Sequence, residues 1–282
     1  MKIVFIGYDY TFDLAARLIE DGHEIIKIYT FPCDNVFAFN IQIKDFANYH
    51  DIPITEQKIT TENIEHDIAR GAELFFSAGY PYKIPQIKKE QAYAMNMHPT
   101  LLPRARGMMP LPHVILNEPN AAGFTIHKIT SEYDSGDIIY QEPIQIDNTT
   151  DVETLSARIA LRANSAIPNI VKDIKNLWDN ASAQDNNNAS KAPLPDEDFR
   201  TINWDSATKD LEKQSRAFGR FGMIANVTNN VGQTQKLAVY QFSVWHEDHE
   251  IEAGKLLRSS PKEIIITTSD GYACLKDFTP IS

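Results

Sequence analysis

The chain opens with MKIVFIGYDYTFDLAARLIEDGHEIIKIYT, residues 1–30, and this stretch decides the fold class. An apolar run at 2–6 ends before Gly7, and apolar side chains then recur at helical spacing over 11–21. A second apolar run covers 24–30. A strand, a helix and a strand in close succession form a parallel strand pair with a helix packed across it. We therefore predict an α/β domain.

The same alternation continues through the first half of the chain. Helices are predicted at 40–49 and 62–70, and strands at 73–77, 92–98, 124–129 and 137–146. A long amphipathic helix is predicted at about 151–178, with a kink or a break at Pro168. The predicted fold class is a Rossmann-like, mostly parallel sheet with helices on both faces, in which ligands bind beyond the carboxyl ends of the strands.

The pattern changes after residues 180–197, NASAQDNNNASKAPLPDE, which contain few large apolar groups and are typical of a linker. A predicted helix at about 205–217 is followed by five short apolar runs, at 222–227, 236–245, 254–258, 263–268 and 272–278. Short strands without helices between them predict a small OB-like β-barrel. The predicted domains are a catalytic domain at 1–185, a linker at 186–200 and the OB-like domain at 201–282.

The charge, hydropathy and cysteine content of the chain argue against several classes of binding partner. The chain has 27 Lys and Arg against 38 Asp and Glu, a net charge of -11, and no basic run of the kind that nucleic-acid phosphates require. No apolar stretch is long enough for a membrane span. Its two cysteines make neither a disulfide framework nor a zinc site. We expect a cytoplasmic protein with no nucleic-acid, membrane or metal partner, and we leave open whether it forms a homodimer.

Polar side chains with catalytic potential follow one predicted strand, in MNMHPTLLPRARG at 95–107. Asn96 and His98 are two residues apart, so on a strand both point to the same face. Pro99 follows at once, which ends the strand. The sequence therefore places an amide beside an imidazole where an α/β sheet binds its ligands.

A carboxylate lies in a second segment, SEYDSGD at 131–137. If Asp134 meets His98, it fixes the tautomer of that imidazole and raises its basicity. An amide that stabilises an oxyanion contributes roughly 10²–10³ in rate, and a proton-transferring imidazole roughly 10²–10⁴. Such a set suits direct acyl transfer from a carrier to an amine. Taken alone, each residue is equally compatible with a turn or a structural hydrogen bond.

Together, NMHPTLLPRARG at 96–107 and GFTIHKITSEYDSGDIIYQ at 123–141 resemble the signature of the folate-dependent formyltransferases. The catalytic residues of that family fall on Asn96, His98 and Asp134. The resemblance implies that 10-formyltetrahydrofolate is the formyl donor and that no metal is needed. Residues 202–227 resemble the start of the OB-like domain in methionyl-tRNA formyltransferase and in UDP-4-amino-4-deoxy-arabinose formyltransferase.

The resemblance also suggests binding residues. The segment AGYPYKIP at 78–85 is similar to one that helps wall the pterin pocket of the family. The cosubstrate contacts it implies are Gly79, Tyr80, Tyr82, Ile84, Pro85, Ser131 and Tyr133. The expected acceptor contacts are Tyr8, Tyr10, Asn35 and Arg106. The first turn reads GYDY rather than a glycine-rich phosphate loop, so a dinucleotide site is not expected.

The acceptor is less constrained than the chemistry. Residues 32–40, PCDNVFAFN, resemble a loop of the arabinose enzyme and favour a nucleotide-linked amino sugar. Alternatives are an amino acid or hydroxyornithine used for siderophores, and methionyl-tRNA, which the charge disfavours. Water could also be the acceptor, giving a 10-formyltetrahydrofolate hydrolase, or the chain could be an inactive folate-binding module. Trp245, His246 and His249 either line a secondary ligand site or cap the barrel.

Overall fold

The structure is a computed structural model that describes residues 1–34 and 38–281, and it divides into two compact units. The first unit comprises Met1–Pro110, Asn120–Gln145 and Ser156–Pro193. The second comprises Leu111–Pro119, Ile146–Leu155 and Leu194–Ser282. The domain boundaries expected from composition stay predictions.

A seven-stranded sheet forms the centre of the first unit. Its strands are β1 (Lys2–Ile6), β2 (Glu24–Tyr29), β3 (Ile54–Thr55), β4 (Leu74–Ala78), β5 (Tyr93–His98), β6 (Gly123–Lys128) and β7 (Ile138–Pro143). They lie in the order β3-β2-β1-β4-β5-β6-β7. The strands β1 to β5 pair in parallel, whereas β6 and β7 pair antiparallel to their neighbours. The chain reverses its direction of travel through the sheet between β1 and β4, which is where doubly wound sheets bind ligands.

Helices connect these strands at the predicted places, except that the sequence pattern did not predict the short helix at Pro110–Leu116. They are α1 (Phe12–Glu20), α2 (Ile41–Tyr49), α3 (Thr61–Ala69), α4 (Pro110–Leu116), α5 (Val152–Lys172) and α6 (Ile174–Asp179). The break predicted at Pro168 is misplaced, because α5 continues through that residue and ends four residues later. Ile167 and Ile170 beside the proline are buried. Burial of this apolar face outweighs the one backbone hydrogen bond that proline removes.

The core of the first unit follows from the two central strands. In β1 and β4 nearly every side chain is buried, as expected for parallel strands that are covered on both faces. Phe5 and Phe76 are completely inaccessible and meet edge to face, with ring centroids 5.8 Å apart. This packing gives the sheet a rigid centre, from which the loops after β1, β4 and β5 project.

The second unit contains an antiparallel sheet of five strands. They are β8 (Met223–Thr228), β9 (Thr234–His246), β10 (Leu256–Ser259), β11 (Ile264–Thr267) and β12 (Gly271–Pro280), preceded by α7 (Glu197–Arg200) and α8 (Thr208–Phe218). The order is β10-β11-β12-β9-β8, and the sheet curls into a half-barrel. The predicted fold class is confirmed. Within the described ranges, no helix has both the length and the apolarity that a bilayer crossing requires.

We predict that Phe76→Ala lowers the free energy of unfolding by about 3–5 kcal/mol, because it leaves a cavity against Phe5 in a close-packed core. Urea unfolding followed by circular dichroism measures this change. Tyr49→Ala, at a side chain that is 84% exposed, is the control and should change stability by less than about 0.5 kcal/mol. Equal effects of the two substitutions would contradict this description of the core.

Candidate active site

A row of polar side chains crosses three neighbouring strands of the first unit. Ser77 on β4 pairs with Asn96 on β5, and Asn96 pairs in turn with His127 on β6. Residues directly opposite one another on adjacent strands point to the same face of a sheet. All three therefore line one cleft, although the surrounding sheet interior is apolar.

Sequence reasoning missed His127, which lies in the quoted segment but received no role. Its Nδ1–H donates to the Lys128 carbonyl oxygen at 2.9 Å, so in the neutral ring Nε2 carries the lone pair. The Asn96 Nδ2 atom lies 3.0 Å from this Nε2 and donates to it. His127 thus orients the Asn96 amide. Only the pairing register of β5 with β6 reveals this contact, and register is not visible in the sequence.

His98 lies deeper than its predicted role suggested. The residue is 4% exposed, and it is not one of the described residues that line the cleft. Its Nε2–H donates to the Ala105 carbonyl oxygen at 2.9 Å. Its Nδ1 lies 3.5 Å from Oδ1 of Asp134. His98 therefore reaches the cleft through Asp134.

Asp134 lies where the other polar groups meet. Its Oδ1 is 3.5 Å from Nδ1 of His98 and 3.6 Å from Nε2 of His127. Its Oδ2 accepts a hydrogen bond of 3.0 Å from the Gly107 amide. The structure therefore brings Asn96, His98 and Asp134 together, with His127 between the amide and the carboxylate.

Burial and neighbouring groups set the pKa values of His98 and Asp134. Burial lowers the pKa of His98 below its ordinary value, and it outweighs the attraction of Asp134 and the hydrogen bond to Ala105. Burial also raises the pKa of Asp134, but the two imidazoles and the Gly107 amide lower that pKa by more. At neutral pH the site therefore contains a carboxylate beside a neutral His98.

The cleft beside this group is open to solvent and has a cavity volume of about 70 Å³. Five of the seven predicted cosubstrate residues line it, namely Tyr80, Tyr82, Ile84, Ser131 and Tyr133. Gly79 and Pro85 are not among the described residues of its wall. Gly79 instead packs under the Tyr8 ring, which a Cβ at that position would strike.

The predicted acceptor residues have different surroundings. An aromatic row of Tyr10, Tyr8, Phe31, Tyr80 and Tyr82 runs from the end of β1 to the cleft, with neighbouring ring centroids 5.3 to 6.2 Å apart. Tyr8 and Tyr10 thus connect to the cleft through Phe31 and Tyr80 and are not among the described residues that line it.

The two other predicted acceptor residues do not extend this row. Asn35 lies outside the described residues. Arg106 donates its Nε and one terminal nitrogen to Gln184 and Asn186. A role for either residue in acceptor binding stays a prediction.

This arrangement can carry out acyl transfer chemistry. The amide of Asn96 can donate to a developing oxyanion with the N–H that His127 does not use. Asp134 can accept a proton, and His98 Nδ1 lies behind it to share that proton. Across residues 1–34 and 38–281, no group of three or more His, Cys, Asp or Glu side chains has a geometry that could hold a metal ion.

We predict that the His98 imidazole titrates below its ordinary pKa of 6.5 and that Asp134→Asn lowers this pKa further. The sign follows because the carboxylate stabilises the imidazolium, and the substitution removes that stabilisation while burial remains. Titration of the ring by NMR in the wild type and the variant measures both values. An upward shift in the variant would contradict this electrostatic description.

Comparison with known proteins identifies the family to which the chain belongs. The family model for formyl transferase matches residues 35–171, and the model for the formyl transferase C-terminal domain matches residues 195–281. The methionyl-tRNA formyltransferase of Bacillus velezensis is 26% identical over 293 residues, which covers 97% of this chain and 88% of that protein.

Two solved structures share the fold. The N-formyltransferase of Helicobacter canadensis, in complex with folinic acid and dTDP-3-aminofucose, has a TM-score of 0.62 and 18% identity over 99% of this chain and all of that one. HypX of Aquifex aeolicus, in complex with tetrahydrofolic acid, has a TM-score of 0.65 and 17% identity over the whole of this chain. The chain spans only 44% of HypX. The resemblance seen in residues 96–107 and 123–141 is confirmed, and the chain is a formyltransferase that belongs to the formyl transferase family.

Proposed function

We propose that this enzyme transfers the formyl group of 10-formyltetrahydrofolate to the primary amine of a nucleotide-linked amino sugar. The observation that carries the chemistry is the position of Asp134. Its carboxylate is ionised, lies between two imidazoles and borders a cleft that the Asn96 amide also lines. Proton acceptor and oxyanion donor therefore face the same space.

The cleft suits a pteridine ring in its chemistry. Tyr80, Tyr82 and Ile84 supply an apolar wall, and residues 129–134 supply a wall with polar groups. Flat heteroaromatic rings stack on aromatic side chains and bond through their edges to polar groups. Bound in this way, the cosubstrate presents its formyl carbon to Asn96 and Asp134.

Transfer then proceeds without a covalent enzyme intermediate. The neutral amine attacks the formyl carbon, and the oxyanion that forms accepts a hydrogen bond from Nδ2 of Asn96. Asp134 Oδ1 takes a proton from the attacking nitrogen and can share it with His98 Nδ1, 3.5 Å away. As the intermediate collapses, this proton goes to N10 of the departing tetrahydrofolate. The proton count balances, and the enzyme returns to its starting state.

The aromatic row and the charge of the chain support a nucleotide-linked acceptor. Tyr8 and Tyr10 lie at the end of the row opposite to Tyr82, and a base could stack on them there while the rest of the acceptor extends along the row to the cleft. The net charge of -11 disfavours a polyanionic RNA acceptor far more than a small molecule with a few phosphate charges. The Helicobacter enzyme of the same fold has such a nucleotide-sugar in its structure.

Methionyl-tRNA is the second candidate acceptor. The observation in its favour is the 26% identity to a methionyl-tRNA formyltransferase across 97% of this chain. Both acceptors present a primary amine to the same formyl carbon, so the site chemistry described above serves either one. Their difference lies in the surface that each needs outside the cleft.

We predict that Asn96→Ala, His98→Ala and Asp134→Ala each lower turnover by about 100-fold or more, because each removes an oxyanion donor or a proton acceptor. Tetrahydrofolate release, measured by absorbance, reports turnover, and circular dichroism checks that the variants fold. Thr228→Ala, on the half-barrel of the second unit, is the control and should keep wild-type turnover. Near-normal activity in any two of the three variants would refute the assignment.

We predict that dTDP-linked amino sugars are formylated with a kcat/KM at least about 100-fold above that of methionyl-tRNA. A panel of amines with saturating 10-formyltetrahydrofolate measures this ratio, and formate release without any amine measures hydrolysis. Faster formylation of methionyl-tRNA would favour the second candidate. Formate release at the transfer rate would instead identify a hydrolase.

A further inference from the structure

Two residues at the site have a left-handed backbone conformation, which favours glycine over other residues. Ala105 has φ 53° and Asp134 has φ 52°, and Asp51 is the one other non-glycine residue with positive φ in the described ranges. Ala105 accepts the hydrogen bond from His98, and Asp134 is the buried carboxylate. A strained conformation persists only where the surrounding structure holds it in place.

The structure that holds Asp134 is the side chain of Gln184. Its Nε2 donates to the carbonyl oxygens of Asp134 at 2.9 Å and of Gly136 at 2.7 Å. Its Oε1 accepts from Nε and a terminal nitrogen of Arg106, at 3.1 and 2.6 Å. Both protons and both lone pairs of the amide are therefore used. No other natural side chain of this length offers two donors and an acceptor in that arrangement.

The structure that holds Ala105 lies six residues further along the chain. Ser190 Oγ accepts the hydrogen bond of the Ala105 amide at 2.7 Å, and the Ser190 carbonyl oxygen accepts that of the Arg106 amide at 3.0 Å. Both left-handed residues of the site are thus held by side chains of one short segment, residues 184–190, which we call the clamp segment. Its composition alone had suggested a linker.

We propose that the clamp segment is part of the catalytic apparatus and that Gln184 is a positioning residue, which holds Asp134 in the conformation that places its carboxylate against His98. The proposal rests on the function proposed above in one respect, namely that Asp134 acts in formyl transfer. Gln184 touches neither the cleft nor the reacting groups, and it acts through the backbone of residues 134 and 136.

This assignment also gives Arg106 a different task from the one expected. Its guanidinium spans Gln184 and Asn186 and so fixes the clamp segment against the loop that follows β5. Gly107 comes next, and a Cβ there would strike the Ala192 carbonyl oxygen. The loop is therefore in close backbone contact with Ala192, two residues beyond the clamp segment, without room for a ligand at this point.

The test compares Gln184→Glu, Gln184→Ala and Gln235→Ala. Glutamate keeps the size of the side chain and the acceptor for Arg106, but it cannot donate to the two carbonyl oxygens. We expect Gln184→Glu and Gln184→Ala to lower kcat by about 10- to 100-fold, with KM for 10-formyltetrahydrofolate changed by less than about threefold. Gln235→Ala changes an exposed glutamine on β9 of the second unit and should behave as wild type.

A second readout does not depend on activity. The Gly107 amide donates to Asp134 Oδ2, so its hydrogen exchange reports whether the carboxylate is in place. We expect exchange at Gly107 to accelerate by about tenfold or more in both Gln184 variants, with melting temperatures close to that of the wild type. Wild-type exchange at Gly107 in Gln184→Glu, or wild-type kcat in that variant, would overturn the proposal. If the wild-type chain transferred no formyl group at all, the exchange measurement would still decide whether Gln184 holds Asp134.

Discussion

The carboxylate of Asp134 is largely buried and ionised, and the other polar groups of the site contact it. An isolated carboxylate at such a depth would take up a proton, because burial disfavours its charged form. Here the attraction to His98, the contact with His127 and the hydrogen bond from the Gly107 amide lower the pKa of Asp134 by more than burial raises it. The same contacts fix the direction of its two oxygens. One set of interactions therefore keeps Asp134 ionised and orients its carboxylate.

Those contacts depend on the antiparallel part of the sheet. Because β6 is antiparallel to β5, His127 lies opposite Asn96. The chain also leaves β6 on the side where the loop that carries Asp134 can fold back over these two side chains. A parallel strand at this position would need a long crossover before the next strand and would carry the aspartate away. The change from parallel to antiparallel pairing is thus what joins the amide and the carboxylate into one site.

The sequence predicted much of this architecture, for identifiable reasons. Strands β1 and β4 are apolar throughout, and helices such as α1 have strong apolar periodicity, so local pattern and tertiary burial agree. The Asn96 and His98 pair stands on a single strand, where spacing alone sets their common face. The motif that contains Asp134 lies within one short segment, residues 131–137, so its resemblance to the formyltransferase signature is visible in the sequence.

The remainder depends on contacts between distant segments. Nothing local distinguishes His127 from a structural histidine until the register of β5 and β6 is known. Gln184 lies 48 to 78 residues from its partners in a polar stretch whose composition is typical of a linker. The prediction of a break at Pro168 was wrong because the burial that keeps this helix continuous is a tertiary effect. Sequence pattern captures periodicity well, and it does not capture which loops meet.

The central claim is that Asn96 and Asp134 face the formyl group of the cosubstrate from the two sides of one cleft. A crystal structure of the Asp134→Asn variant with 10-formyltetrahydrofolate tests it most directly, because the slowed variant retains the intact donor. We expect a pteridine between Tyr80 and Tyr133 and a formyl oxygen about 3 Å from Nδ2 of Asn96. A donor bound outside this cleft, or a formyl group beyond the reach of residues 96 and 134, would contradict it.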